Sequence, residues 1–126
     1  MCFSATASFT ASGVLALAGI ATLRETKQKS HIPFASIPLL FAAQQFFEGF
    51  VWISLQHSDY ADWEAFSTTT FLIFAQVVWP IFVPISILCM ERENKRRILL
   101  IFLSIGGILV GGYLGTCILI YDVKAI

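Results

Sequence analysis

Charge is scarce in this chain. Only 13% of its 126 residues are charged, where a soluble domain carries about 25%. It has two histidines and three cysteines. No histidine pair stands at i, i+4, neither histidine lies inside an apolar run, and Cys2, Cys89 and Cys117 form no CxxC. Zinc and redox ligand motifs are therefore missing, and no metal site is expected. The net charge is zero, and the basic residues sit only in short clusters between apolar runs. That distribution does not make a phosphate-tracking surface, so no nucleic-acid partner is expected. Phosphate loops, dinucleotide fingerprints and nucleophile–base pairs are also missing, and no cofactor is indicated. No basic region precedes the first apolar run, so a cleavable signal peptide is not expected.

What the chain has is apolar surface. Hydrophobic residues make up 57%, and the mean hydropathy is +0.79. The charges gather in three short clusters with long apolar runs between them, the pattern of membrane spans joined by short loops. The expected fold is all-α and polytopic: one transmembrane domain over residues 1–126, embedded in a lipid bilayer. Four transmembrane helices are expected at about 3–23, 32–55, 65–90 and 98–121.

Loop charge sets the expected orientation. The first loop holds Arg24, Lys27 and Lys29 against Glu25. The second holds Asp59, Asp62 and Glu64 and no Lys or Arg. The third holds Arg92, Lys95, Arg96 and Arg97 against Glu91 and Glu93. The positive-inside rule places the first and third loops in the cytoplasm, and hence the N-terminus outside.

Two small-residue ridges point to packing. Ser8, Ser12 and Ala16 recur at four-residue spacing in the first span, and Gly107, Gly111 and Gly115 do so in the fourth. Such ridges let helices approach closely, within the chain or against another subunit. Pro33 suits a first helical turn. Pro38 predicts a kink, and Pro80 with Pro84 a bend.

The stretch from Gln44 to Trp52 carries the chemistry. Glu48 is the one acidic residue inside an apolar run, with Gln44, Gln45 and Trp52 three or four residues away. That spacing puts the four on one broad helix face. At about 1.5 Å of rise per residue, Glu48 lies roughly 10 Å from the outer end of its span. Counting from the outer ends of the other spans brings Ser8, Ser12, Gln76 and Tyr113 to similar depth. A polar face of this kind is expected to turn into the bundle, because lipid would charge several kcal/mol for it.

One expectation is a ligand or ion site of Glu48, Gln44, Gln45, Gln76, Trp52 and Tyr113, binding or moving a proton, a cation or a small ligand. A neutral carboxyl hydrogen-bonded between helices as glue is the simpler alternative. His31 and His57 are expected at the interfaces. Trp63 and Trp52 suit an aromatic belt, and Trp79, beside Pro80, suits an interior position. Cys89 is expected in the core. Cys2 and Cys117 fall near the same face and can pair in an oxidising compartment.

Met1 to Phe9 (MCFSATASF), together with Gln44-Gln45-x-x-Glu48-Gly49-x-Val51-Trp52, resembles an uncharacterised family of bacterial and archaeal multi-pass membrane proteins. The resemblance implies that these two stretches are family hallmarks and that the membrane is the bacterial cytoplasmic one. It also implies a longer protein, of about seven spans by analogy with other seven-helix membrane proteins. Four spans here would then make a fragment or a short member. It assigns no activity and carries over no catalytic residue. Three readings stay open: a polar membrane site around Glu48; an accessory subunit docking through Gly107, Gly111 and Gly115; and a membrane-embedded hydrolase using a metal or Cys2.

Overall fold

The computed structural model of the protein describes residues 4–56 and 61–121. Helices α1 (Ala5–Glu25), α2 (Ile32–Ala35), α3 (Ile37–Gln56), α4 (Ala61–Ile73), α5 (Trp79–Met90) and α6 (Asn94–Ile120) follow in order. A 3-10 turn (Lys29–His31) leads into α2, and a π-turn (Phe74–Val78) joins α4 to α5. The described residues contain no strand. Four continuous stretches are long and apolar enough to cross a membrane: Ala5–Glu25, Lys29–Gln56, Trp63–Met90 and Asn94–Ile120.

Polar side chains are inside and apolar ones outside. Among the described residues the buried polar or charged group is Ser8, Gln44, Glu48, Ser54, Ser67, Thr68, Ser86 and Ser104, whereas Ala42 is the sole buried hydrophobic residue. Leu17, Phe102, Leu109, Leu119 and Ile120 are each 69% exposed or more. Exposing one large apolar side chain to water forgoes about 1.5–3 kcal/mol. A surface of many such residues is therefore the surface of a protein solvated by lipid.

Each break in the helices traces to a particular residue. Ser4 caps α1, its hydroxyl accepting from the Ala7 amide at 3.2 Å, and Arg24 in the last turn complements the helix dipole. Pro38 has no N–H to give Phe34 and disfavours helical backbone at Ile37. The expected kink falls at Ser36, a one-residue interruption whose backbone stays right-handed helical and whose hydroxyl donates to the Pro33 carbonyl at 2.7 Å. Pro80 likewise has no N–H for the Gln76 carbonyl. The preceding turn widens, and the Trp79 amide donates five residues back to Phe74. Pro84 repeats the deletion one turn on and leaves the Pro80 carbonyl without its helical donor.

The charged turns are more helical than expected. α4 starts at Ala61 and takes Glu64 into its opening turn, where an acidic residue suits the dipole. α6 starts at Asn94 and includes Lys95, Arg96 and Arg97. Ahead of it, the Glu91 carboxylate accepts from the amides of Arg92 (2.9 Å) and Glu93 (3.0 Å). Arg96 pairs with Glu93 at 3.0 Å.

The spans form a row in chain order: α1 packs chiefly on α3, α3 on α4, and the π-turn with α5 on α6. All three junctions are antiparallel. At α1–α3, Ser12 donates to the Ala42 carbonyl at 2.8 Å and Thr22 to that of Ala35 at 2.9 Å. A Cβ at Gly49 would stand 2.6 Å from the Phe9 ring, and one at Gly19 2.6 Å from Leu39. The Ser8–Ser12 ridge is thus a packing face. At α5–α6 the glycine ridge takes the neighbouring helix: Gly107 meets the Pro80 carbonyl, Gly111 meets Ile81 and Val77, and Gly115 meets Val77.

Candidate functional site

Three groups from the expected site do converge. Gln44 and Glu48 are 8% and 6% exposed, side by side on α3. Gln45 Nε2 donates to Glu48 Oε2 at 2.7 Å. The indole Nε1–H of Trp79 donates to Gln44 Oε1, while the Trp79 ring leans on Phe41 with centroids 4.2 Å apart. A carboxylate, two carboxamides and an indole therefore make two hydrogen-bonded pairs, one within α3 and one between α3 and α5. Trp52, the fourth residue of that α3 face, is half-buried one turn on.

Two further expected members are elsewhere. Gln76 is exposed. It lies inside the π-turn, where the extra residue per turn shifts the helical phase and takes its side chain off the inner face. Tyr113 is 69% exposed. It follows Gly111 by two residues, about 200° around the helix at 3.6 residues per turn, and Gly111 faces α5. Cys89 is exposed rather than in the core. Cys2 lies outside the described residues, and with it the pairing with Cys117 and the hydrolase reading; so does His57.

Three buried hydroxyls that were not expected together share the level of Glu48. Ser8 precedes Phe9, whose ring meets Gly49, so it stands beside the Gln45–Gly49 turn. Ser67 and Thr68 follow Phe66, whose ring lies 6.1 Å from that of Phe47, and antiparallel pairing sets them at the same height. Ser8 is 0%, Ser67 1% and Thr68 6% exposed, and none of the three hydroxyls has a hydrogen-bond partner among the described residues. The default for a hydroxyl in a helix is to bond back to its own backbone. Thr10, Ser54, Thr70, Ser86, Ser104 and Thr116 all do so at 2.7–2.8 Å. Ser8, Ser67 and Thr68 keep their donor and acceptor capacity. Ser8 was expected both on a packing ridge and at the depth of Glu48, whereas Ser67 and Thr68 were read as the polar opening of a span; helix register brings these two level with Glu48 as well.

Aromatic rings close the layer. Phe9 packs edge-on against Phe46 and Phe50, at centroid distances of 5.7 and 5.5 Å. Phe47 stacks with Phe74 at 6.4 Å, and Phe50 with Trp63 at 6.4 Å. Two clefts open towards the ends of the spans. One, of about 410 Å³, opens between Phe50, Ile53, Ser54 and Trp63. The other, of about 610 Å³, lies at the opposite end of the spans beside Lys27 and His31. Among the described residues no three His, Cys, Asp or Glu side chains come together in a way that would hold a metal ion.

The donor set at Glu48 is all oxygen and amide: carboxylate, carboxamide and hydroxyl. Such groups suit protons and hard cations better than soft metals. Residues 1–125 match the family of unknown function DUF6629, and the chain belongs to that family. No curated protein and no solved structure matches it.

Proposed function

We propose, for this member of a family without an assigned activity, an intramembrane polar site centred on Glu48 that binds or passes a proton or small cation. The observation that carries this reading is a carboxyl only 6% exposed inside an apolar span, hydrogen-bonded to Gln45. An ionisable group at that depth costs free energy that a packing role does not require, and such residues lean towards function. Ser8, Ser67 and Thr68 supply further oxygens at the same level, each with spare capacity. Gln44, held by Trp79, fixes one wall. Gln76 and Tyr113, both exposed, stand apart from the inner layer.

The basic loops support an orientation with the 24–31 and 91–97 ends in the cytoplasm and the start of α1 outside, in a bacterial cytoplasmic membrane. In that orientation Glu48 lies in the outer half of the bilayer. An accessory role remains open to the outward face of α6, where Gly106 and Gly112 have open space around them. The Gly107–Gly115 ridge is already occupied by the chain's own Val77, Pro80 and Ile81.

The test is ligand-linked stability. A monovalent cation at one hundred times its Kd should raise the unfolding free energy by about 2.7 kcal/mol. Thermal melts of the detergent-solubilised protein are compared in lithium, sodium, potassium and choline chlorides across pH. Glu48→Gln preserves shape and removes the charge, so it should abolish the cation- or pH-dependent shift. Identical salt and pH responses in wild type and Glu48→Gln would leave Glu48 as interhelical glue.

A further inference from the structure

The second chemistry-bearing region is the cleft at the end of the spans where the two basic loops meet, and it is independent of the Glu48 site. It is a space of about 610 Å³ between the end of α1, the 3-10 turn, α2 and the start of α3. Its lining is graded. The rim carries Glu25, Lys27, Gln28 and His31, and the wall beneath carries Phe34, Ile37, Pro38 and Met90. From Lys27 to Pro38 the chain thus passes from charged to apolar where a span enters the bilayer.

The field at the rim is positive. Arg92 reaches across from the other loop, its Nη2 donating to Gln28 Oε1 at 3.4 Å. The acidic groups of that second loop are taken up locally, Glu93 by Arg96 and Glu91 by backbone amides. The side chains of Lys27 and His31 make no hydrogen bond or ion pair with any described residue. Thr22 and Thr26 also line the cleft but spend their hydroxyls on backbone carbonyls, at 2.9 and 2.7 Å. Glu25 is the acidic group in the lining, and it supplies an acceptor beside Lys27.

A cationic rim over an apolar wall, at the edge of the bilayer, has the polarity profile of one phospholipid. We propose that this cleft seats an anionic glycerophospholipid, its phosphate against Lys27 and the Arg92-braced rim and its upper acyl chain along Phe34, Ile37 and Met90. Basic pockets at the ends of membrane helices bind anionic head groups in this way. The apolar wall favours a tethered phosphate over a free one, because it gains nothing from inorganic phosphate.

The experiment is native mass spectrometry of the full chain in detergent. Phosphatidylglycerol, phosphatidylethanolamine and phosphatidylcholine of matched chain length are titrated separately, and inorganic phosphate is titrated alone. Phosphatidylglycerol should be retained preferentially. Lys27→Gln should cut that retention about five-fold, the weight of one surface cation, and His31→Gln in addition should cut it further. The double variant Lys95→Gln with Arg97→Gln, at the same end but outside the cleft, should retain it. Thermal melts check that each variant is folded; Lys27→Glu replaces any that is not. Equal retention of the ethanolamine lipid would show that Glu25 and Lys27 read a zwitterion, overturning the assignment. Equal loss in the Lys95/Arg97 variant would show a diffuse charge effect. Competition by inorganic phosphate at similar concentration would show a soluble-anion site, and either result would also overturn it.

Discussion

Gly107→Ala tests the packing on which the second half of the molecule depends. A Cβ at this position would run into the Pro80 carbonyl oxygen, a backbone atom that cannot swing aside. Normal contact needs roughly 3.5 Å, so α5 and α6 must part by on the order of an ångström. That separation also loosens the next two contacts, where Cβ positions at Gly111 and Gly115 lie 3.1 Å from Ile81 and 3.3 Å from Val77. Overpacking of this kind costs about 1–3 kcal/mol, set against about 1 kcal/mol gained by replacing glycine in a helix. Gly112→Ala is the matched control, because nothing lies within 4 Å of its Cβ position. It should gain that propensity and lose nothing. The two variants should therefore differ by about 1–3 kcal/mol, with Gly107→Ala the less stable. Unfolding by dodecyl sulfate in mixed micelles, followed by circular dichroism, measures the difference. Equal stabilities would refute the close approach. A change of oligomeric state without loss of monomer stability would instead return the ridge to an intersubunit role.

Trp79→Phe should cost about 1–3 kcal/mol, since it leaves the buried Gln44 carbonyl oxygen without its donor; the same mixed-micelle titration reads it, and a neutral result would mean that the pair adds nothing. Gly49→Ala should destabilise by about 1–3 kcal/mol through the Phe9 ring, which its contacts with Phe46 and Phe50 hold in place. Adding Phe9→Leu should recover most of the loss, and a failure to recover would put the strain elsewhere. The turn before α6 should respond to acid. The amide of Glu93 chiefly, then that of Arg92 and the charge of Arg96, hold the Glu91 carboxyl below its usual 4.5 against an opposing effect of burial. A lowered folded-state pKa gives stability that is present above the unfolded value and lost as pH falls through the folded one. Amide exchange at Arg92 and Glu93, corrected for intrinsic rate, should therefore stay slow above pH 4.5 and quicken below it. Glu91→Gln should flatten that profile, and an unchanged wild-type profile down to strong acid would contradict the cap.

Composition made the spans legible because lipid imposes a length and a polarity that no other solvent does. The inversion of polar and apolar surfaces follows from the same cause. Glu48, Gln44 and Gln45 were legible for a related reason, since a polar face in an apolar run has to find protein. The proline effects were legible in place but not in form. Pro38 gives a one-residue interruption at Ser36, which can close the turn behind it, and Pro80 gives a π-turn rather than a simple bend. Neither choice is encoded by the proline alone.

The errors in the polar layer have one source. Depth was counted along each span, but membership also depends on the angle around the helix. Tyr113 has the right depth and the wrong angle, and the angle was readable: once Gly107, Gly111 and Gly115 define the buried face, a residue two positions from Gly111 must point away from it. Gln76 was not readable in this way, because a π-turn resets the phase and no residue spacing announces it. Ser67 and Thr68 have both depth and angle, yet in the sequence they look like the polar start of a span. They become informative only beside the six hydroxyls that bond to their own helices. The buried hydroxyls without a partner among the described residues are the ones level with the buried carboxyl. Interhelical glue would consume the donors and acceptors at this level, whereas a site that exchanges a proton or cation must leave some of them available. Ser8→Ala and Thr68→Val therefore separate the two readings. Each should preserve or raise stability if the hydroxyl is a packing element with an unmet hydrogen bond. Each should also weaken the cation- or pH-linked shift in the thermal melt if Glu48 shares its ligand with that oxygen. Loss of stability together with an unchanged linked shift would place these hydroxyls in packing and leave Glu48 to act alone.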